Sequence, residues 1–196
     1  YKPAKGRASW SGPAVILCSL IFLFVTVFWL IQKNTYTTKQ NQLVANAEST
    51  TGSIRLRLKG NEDYLLMLAK ERGDGAMTAR SFQERASRYV ADHPEMICIN
   101  WVDAGYLITD VAPIAPNKQV VGLRLNLPEP KRASRLAMGK RQPVYTRPFE
   151  VIQGGLAFEL WVPVFQDDVF LGLFGGIYSI EKMLHSLVSP QALKIN

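Results

Sequence analysis

The sequence predicts an α+β fold, in which an N-terminal transmembrane helix and a long stalk helix precede an antiparallel sheet with flanking helices. Three observations support this prediction. Residues 13–31 form a charge-free apolar run, and the polar stretch after it keeps a helical spacing up to residue 75. Beyond residue 94, β-prone segments alternate with turn signals, which is typical of an antiparallel sheet.

The net charge of the 196-residue chain is +7, but this charge is unevenly distributed. Lys2, Lys5, Arg7 and Lys33 precede the first acidic residue, and the rest of the chain has an ordinary balance of charges. No aromatic residues are interleaved with the basic ones in a pattern that would stack on bases. We therefore expect no nucleic-acid partner.

The sequence contains no motif for a metal, a cofactor or catalysis. Cys18 and Cys98 are the only cysteines, and each lies in an apolar segment typical of a buried thiol. His93 and His185 are far apart and lack ligand spacing. Phosphate-loop, HExxH and GxSxG motifs are absent from the sequence. We therefore expect no cofactor, no metal site and no catalytic residue in this chain.

The apolar run predicts a transmembrane helix over residues 13–32. About 20 apolar residues cross a bilayer core, and Trp10 and Trp29 lie near the two ends, where indole rings favour the interface. The basic N-terminal flank predicts a cytoplasmic tail over residues 1–12 and places residues 34–196 outside the cytoplasm. A cleaved signal peptide is the alternative. Its apolar region is shorter, however, and the nearest small-residue site, at 45–47, is too far downstream.

Residues 33–75 are predicted to form a stalk helix that pairs with a second copy of the chain. Apolar and small residues recur at alternating spacings of four and three, which is a heptad pattern; they are Ala47, Thr51, Ile54, Leu58, Asn61, Leu65 and Leu68. Asn61 occupies a position where a buried amide can set the register of a helix pair. The alternative is that the stripe packs on its own domain, and we expect the upper half to do so while the lower half pairs.

Residues 76–190 are predicted to form one α+β domain after the stalk. Ser81 and Glu84 form a capping box for a second helix, which stops before Pro94. The expected elements after it are strands over 96–103, 106–113 and 120–127, a short helix capped by Gly139, a hairpin over 144–165 that turns at Gly154 and Gly155, a last strand over 169–180 and a closing helix. This order is that of a PAS-like sensor module, one antiparallel sheet with helices over one face and a ligand pocket between them.

The stretch from residue 120 to 165 resembles the CHASE sensor domain, which lies outside the membrane in bacterial sensor kinases and cyclases and in plant cytokinin receptors. The resemblance covers roughly residues 94–188. It rests on a Gly-hydrophobic strand at 122–124, a short helix with Arg132 and Ala137, Gly139, Thr-x-Pro-Phe at 146–149 and Pro-Val-Phe at 163–165. The resemblance implies that residues 191–196 begin a continuation toward a second PAS-like subdomain, a second transmembrane helix and a cytoplasmic output module.

The resemblance also indicates a ligand site. Thr146 matches a pocket threonine of the family, whereas Arg124 replaces a family acid that faces the ligand in cytokinin receptors, so an anionic small molecule fits better than a purine. Arg147 is expected to point to the opposite face and to lie on the surface. Glu159, in mid-strand, is expected either to face solvent or to pair with an arginine. The full set of predicted ligand contacts is Arg124, Thr146, Trp101, Phe149, Phe158, Gly175 and Tyr178.

We therefore expect the chain to be the extracytoplasmic small-molecule sensing portion of a homodimeric membrane receptor, a sensor histidine kinase or a diguanylate cyclase. The resemblance implies that the receptor lies in a bacterial inner membrane, with residues 34–196 in the periplasm. It is not expected to be an enzyme within these residues. The alternative is a membrane-anchored periplasmic adaptor or assembly protein that binds a protein partner. Such a protein would have an exposed apolar patch and no enclosed pocket.

Overall fold

A computed structural model describes residues 11–152 and 154–187; for residues 11–18, 21 and 30–49 it describes the helical backbone without the side chains. The predicted continuation at 191–196 and most of the predicted cytoplasmic tail lie outside the described residues. The chain divides into two compact units, residues 1–51 and 52–196. The first unit contains the N-terminal part of helix α1, Ser11–Gly73, and the second contains the rest of the fold.

In the part of the chain that the structure describes, no helix is apolar over a stretch long enough to cross a membrane. The transmembrane prediction falls partly on residues 13–18, 21 and 30–32, whose side chains are not among those described.

The second unit is built on one six-stranded antiparallel sheet. Its strands are β1 Met96–Asp103, β2 Ile108–Ala112, β3 Val144–Tyr145, β4 Phe149–Glu150, β5 Leu156–Gln166 and β6 Val169–Ser179. They lie in the order β2-β1-β6-β5-β3, and β4 also pairs with β5. The two long strands β5 and β6 form the centre, joined by a tight turn at Asp167 and Asp168, which both have positive φ. The predicted antiparallel sheet is thus confirmed.

Helices cover both faces of the sheet, which corrects the expectation of helices over one face. On one face, called here the stalk-side face, α1 and α2 (Ala79–Asp92) pack through Leu65, Leu68 and Phe82 against Ile99, Trp101, Leu160, Phe174 and Tyr178. On the other, the cavity-side face, α4 (Pro128–Lys140) packs through Ala133 and Ala137 against Val102, Trp161, Leu173 and Ile177. Side chains alternate between these faces along each strand, because successive strand residues point to opposite sides.

One connecting segment differs from the prediction. Residues 120–127 do not form a strand. Instead, α3 (Ile114–Asn117) and a 3₁₀ turn (Lys118–Val120) lead into a loop in which Gly122 has φ +87°, a conformation that breaks an extended run. This loop is fixed to β2 by the Ile108 N–H, which donates to the Leu123 carbonyl at 2.9 Å. Its proximity to the sheet makes it one wall of the site described below.

Two helix ends also differ from the sequence-based prediction. Thr78, not Ser81, is the N-cap of α2, and Ser81 is the N3 residue of the same reciprocal capping box. Helix α4 continues through Gly139 to Lys140, and its C-cap, Arg141, adopts the left-handed conformation at φ 53°. The closing helix α5, Ile180–Leu187, lies where the sequence predicts it.

The upper half of the predicted heptad stripe packs on its own domain. Leu65 and Leu68 are fully buried in the stalk-side core, and Ile54 and Leu58 pack partly buried against it. Asn61 is also fully buried, and it is hydrogen-bonded to Tyr89 and Glu95 of the same chain. The prediction that Asn61 sets the register of a helix pair is therefore corrected, because its amide is fully engaged within one chain.

Candidate functional site: a cavity on the sheet face opposite the long helix

A cavity of about 250 Å³ lies between the cavity-side face and the segments that cross over it. Its floor is formed by side chains of four strands, β1, β2, β5 and β6. One wall is the loop from Val120 to Leu127 with Pro130 of α4, and the other is the segment from Phe149 to Ile152. The volume is just below the range of about 300–1,000 Å³ that is common for small-molecule sites, so it suits a ligand of few heavy atoms.

The floor of the cavity carries two buried polar side chains, Asn100 and Glu159. Asn100 is 4% exposed and Glu159 is 7% exposed, and both line the cavity among apolar neighbours such as Ile108 and Ile177. In the strand registers, Asn100 lies opposite Gly175 of β6 and Glu159 lies opposite Ile177 of β6. Gly175 and Ile177 are two residues apart and therefore point to the same face of the sheet, so Asn100 and Glu159 share that face. Both lie in strand interiors, so rigid elements hold them in position.

The Glu159 carboxyl is fixed by one hydrogen bond. Its Oε2 accepts from the indole Nε1–H of Trp161 at 3.0 Å, and Trp161 is itself fully buried on the same face. Among the described residues, no hydrogen bond engages its second oxygen, Oε1. Burial raises the pKa of Glu159 to about 8, an effect that the indole hydrogen bond only partly offsets. The side chain is therefore mostly a neutral acid at pH 7 when the cavity holds no cation.

Arg124 is the basic residue at the rim of the cavity. Its side chain is exposed, and its Nη1 donates to the Gly105 carbonyl at 2.8 Å. An isolated bridge between Leu107 and Arg124 holds the backbone of the loop beside the strand connection. One guanidinium edge is thus anchored, which leaves the remaining donors of its fork for another partner.

The structure brings together two of the predicted ligand contacts, Arg124 and Phe149, in the lining of this cavity. Thr146 is buried nearby but does not line it. Its hydroxyl oxygen accepts the backbone N–H of Glu159 at 2.8 Å, so the threonine supports the strand that carries Glu159. The hydroxyl and the guanidinium therefore do not share one pocket, which corrects that part of the site prediction.

The other four predicted contacts also lie away from the cavity. Trp101, Phe158 and Tyr178 belong to the stalk-side core, on the opposite face of the sheet. Gly175 is on the cavity side, but the Trp161 ring covers it: a methyl group at Gly175 would lie 2.6 Å from the nearest ring carbon. Arg147 is exposed, as the sequence analysis expects. Its backbone N–H donates to Glu129.

Two polar residues of the floor were missed as ligand contacts. Glu159 neither faces solvent nor pairs with an arginine, contrary to both readings of its position in the sequence. The sequence offers one signal for these contacts, which is a polar side chain between large apolar ones: Glu159 between Phe158 and Leu160, and Asn100 between Ile99 and Trp101. Strand interiors rarely hold such side chains without a partner. Within residues 11–152 and 154–187, no three His, Cys, Asp or Glu side chains come together as a metal site.

No protein-family model matches the chain, and no curated protein matches it. Solved structures do. The chain is similar to an extracellular ligand-binding receptor from Desulfohalobium retbaense, with TM-score 0.59 and 19% identity over 72% of this chain and 25% of that one. It is also similar to the ligand-binding domain of the Pseudomonas aeruginosa amino-acid chemoreceptor PctC in complex with GABA, with TM-score 0.55 and 15% identity over 79% of this chain and 67% of that one.

A third similar structure is the sensor domain of the Vibrio cholerae histidine kinase DctB, with TM-score 0.57 and 12% identity over 80% of this chain and 62% of that one. The chain thus spans a quarter of the Desulfohalobium receptor and about two thirds of the other two domains. At these identities the likeness concerns the fold. The fold of this chain is that of extracellular ligand-binding sensor domains from chemoreceptors and from a histidine kinase.

Proposed function

We propose that this chain is the extracytoplasmic small-molecule sensing portion of a membrane-bound signalling receptor. The observation that carries the proposal is the cavity, whose floor holds a buried carboxyl, Glu159, and whose rim holds a cation, Arg124. A buried polar group without a complete set of partners is costly, so its presence on the wall of a cavity favours ligand recognition over packing. The fold shared with ligand-binding sensor domains supports the same role.

The ligand we propose is a small polar molecule with a carboxylate. The free donors of Arg124 suit a carboxylate held by a planar fork, and the cavity volume of about 250 Å³ suits a molecule of amino-acid size. A similar domain, that of PctC, was solved with GABA, which is a molecule of this size and chemistry. The neutral, purine-like ligand of a cytokinin receptor fits this combination less well.

The proposed receptor is anchored by the apolar run at residues 13–32, with residues 34–196 outside the cytoplasm. The basic residues Lys2, Lys5 and Arg7 before this run support that orientation. A CHASE-type membrane-distal subdomain and a histidine kinase or diguanylate cyclase output complete the proposal. The chain described here would then bind its ligand without any chemical step.

The proposed mechanism is a ligand-biased shift between two arrangements of the sheet and the long helix. Two neighbouring glycines of β6 lie between the cavity and that helix. Gly175 is covered by Trp161, the hydrogen-bond partner of Glu159, and a methyl group at Gly176 would lie 2.9 Å from Leu65 of α1 on the other face. A ligand that moves Glu159 and Trp161 would therefore shift β6, and this shift would change the packing of α1 against β6.

Isothermal titration of the full 196-residue chain with a panel of small carboxylates and amino acids tests the proposal. We expect one compound to bind one-to-one. Arg124→Ala should weaken its binding ten- to a hundredfold, because a hydrogen bond to a charged group is lost. Arg147→Ala is the matched control, since Arg147 is exposed and lies outside the cavity lining. Equal loss in both variants, or no loss in Arg124→Ala, would contradict the site.

The same experiment separates the sensor from the adaptor. An adaptor would bind a protein through a surface patch, so no compound of the panel would saturate the chain, while crosslinking in cells would capture a single protein partner. That pair of results would refute small-molecule sensing.

A further inference from the structure

Among the residues that the structure describes, Glu159 is a buried carboxyl without a cationic partner. The causes of its pKa shift are burial and the Trp161 indole alone, so no basic side chain of the described residues acts on it. Arg124, the basic residue of the cavity lining, instead donates to the Gly105 carbonyl at the rim. The cavity floor thus has an acidic group for which the described part of the chain supplies a single neutral donor.

A structural role for Glu159 accounts for only half of the side chain. The Trp161 indole needs an acceptor when buried, and Oε2 provides one at 3.0 Å. A glutamine would provide the same acceptor without the cost of burying an ionisable group. The second oxygen, Oε1, makes no hydrogen bond within the described chain, and the side chain lines the cavity. That unoccupied oxygen is the part of the residue that a packing role leaves unexplained.

We infer that Glu159 binds a cationic nitrogen of the ligand, so that the ligand carries an ammonium-type group at the cavity floor as well as a carboxylate at the rim. The inference rests on the proposed sensing function and narrows its ligand class to zwitterions of amino-acid size. The apolar side chains around the floor, among them Ile108, Val151 and Ile177, lower the local polarity, which strengthens a charge pair formed there.

This pairing couples binding to a proton. Among the described residues, Glu159 and Arg124 are the titratable groups in the cavity lining. With a pKa of about 8, the empty site holds Glu159 mostly as the neutral acid at pH 7, and a cationic ligand stabilises the carboxylate. Binding near neutral pH then releases the Glu159 proton to the buffer, and affinity rises as the pH is raised from 6 toward 8.

Matched compounds test which group of the ligand is read. L-Alanine, L-serine, L-valine and GABA are each titrated into the full chain beside the corresponding acid without the amine and the corresponding amine without the carboxylate. We expect a zwitterion to bind best and the matched acid to bind ten- to a hundredfold more weakly. Proton release is measured independently, by repeating the titration in buffers of different ionisation enthalpy, and needs no variant.

Glu159→Gln keeps an acceptor for the Trp161 indole and removes the charge. We expect this variant to lose ten- to a hundredfold of its affinity for the zwitterion and to lose the proton release. Glu84→Gln is the matched control, because Glu84 is exposed on helix α2, on the other face of the sheet, and should change neither. Circular dichroism checks that both variants are folded.

Three results would overturn the inference. The first is that the matched acid binds as tightly as the zwitterion. The second is that Glu159→Gln binds the zwitterion as tightly as the parent chain does. The third is that no proton is released when the zwitterion binds. In each of these cases the proposed sensing function would still stand if a carboxylate compound of the panel binds and Arg124→Ala weakens that binding. Binding of no compound in the panel would overturn the inference together with the proposed ligand class.

Discussion

The side-chain amide of Asn61 donates to the Glu95 carboxylate at an N–O distance of 3.4 Å, and both residues are fully buried. This contact joins the long helix α1 to the residue that precedes β1. The Tyr89 hydroxyl of α2 donates to the Asn61 carbonyl oxygen at 2.8 Å, so one amide links three elements. Arg57 adds a charge contact at 3.5 Å to the other Glu95 oxygen. The stalk is thus tied to the sheet by polar groups as well as by packing.

Asn61→Ala is expected to destabilise the second unit by about 1–3 kcal/mol, because it removes the donor to a buried carboxylate and the acceptor of Tyr89. Urea unfolding followed by circular dichroism measures the loss. Arg80→Ala is the control, since its ion pair with Glu84 is on the surface and should contribute less than about 1 kcal/mol. Equal midpoints for the two variants would show that the buried amide contributes nothing specific.

Glu159 predicts a pH dependence of stability. Its pKa in the folded chain is about 8, above the ordinary value of 4.5. Between these values the folded state binds more protons than the unfolded state, so stability falls as the pH rises, by at most about 1.4 kcal/mol per pH unit from this group. The loss begins above 4.5 and levels off above 8. In Glu159→Gln this contribution disappears.

The measurement is the difference in free energy of unfolding between the parent and Glu159→Gln, taken by urea titration at several pH values from 5 to 9. The parent should lose stability relative to the variant across this window. A difference that does not change with pH would mean that Glu159 titrates near its ordinary pKa.

The sequence pattern located the long helix, α2, the strands β1, β2, β5 and β6, and the closing helix. The pattern identifies the helices by an apolar stripe and the strands by apolar, β-prone runs, of which β1, β5 and β6 are buried on both faces of the sheet. It does not say which face of the sheet carries the cavity. Trp101 and Phe158 are direct neighbours of Asn100 and Glu159 in their strands and therefore point to the other face, where Tyr178 of β6 also lies. Only the packing of α1 and α4 decides which of the two faces carries the cavity.

Backbone conformation explains the remaining differences. The apolar alternation at 120–127 reads as a strand, but Gly122 at positive φ turns the chain away from the sheet. Arg141, rather than Gly139, adopts the left-handed cap, because helix α4 runs on to Lys140 before Pro143. Asn61 fits a heptad equally well as an interchain or an intrachain residue, and its partner Glu95 is distant in sequence. Such pairings depend on tertiary packing that a local pattern does not contain.

Pairing of the stalk remains a prediction, now for its lower half, because Ile54 and Leu58 pack on their own chain. Cysteines at Ala47 and Thr51 should crosslink between copies of the full chain in membranes. A cysteine at Ser49 is the control, since helical periodicity places it on the other side of the helix from both. Crosslinks that are as strong at Ser49 as at the seam, or absent from all three sites, would contradict a parallel pair with this seam.

The orientation of the chain is a separate prediction. A phosphatase fused after residue 196, which is active only outside the cytoplasm, should be active in bacterial cells, because the basic residues before the apolar run favour a cytoplasmic N-terminus. Replacing Lys2, Lys5 and Arg7 by Ala should lower this activity. An inactive phosphatase, together with an active cytoplasmic reporter at the same position, would refute the extracytoplasmic location.

The most direct test of the account is a crystal structure of the full chain with the tightest-binding compound of the panel. We predict that the ligand lies in the cavity between the sheet and the 120–127 loop, with its carboxylate on Arg124. Its amine nitrogen should lie within about 3.2 Å of a Glu159 carboxylate oxygen, which is the usual upper limit for a hydrogen bond. A ligand bound on the stalk-side face beside Trp101 and Tyr178, or outside the cavity altogether, would contradict the assignment of this site.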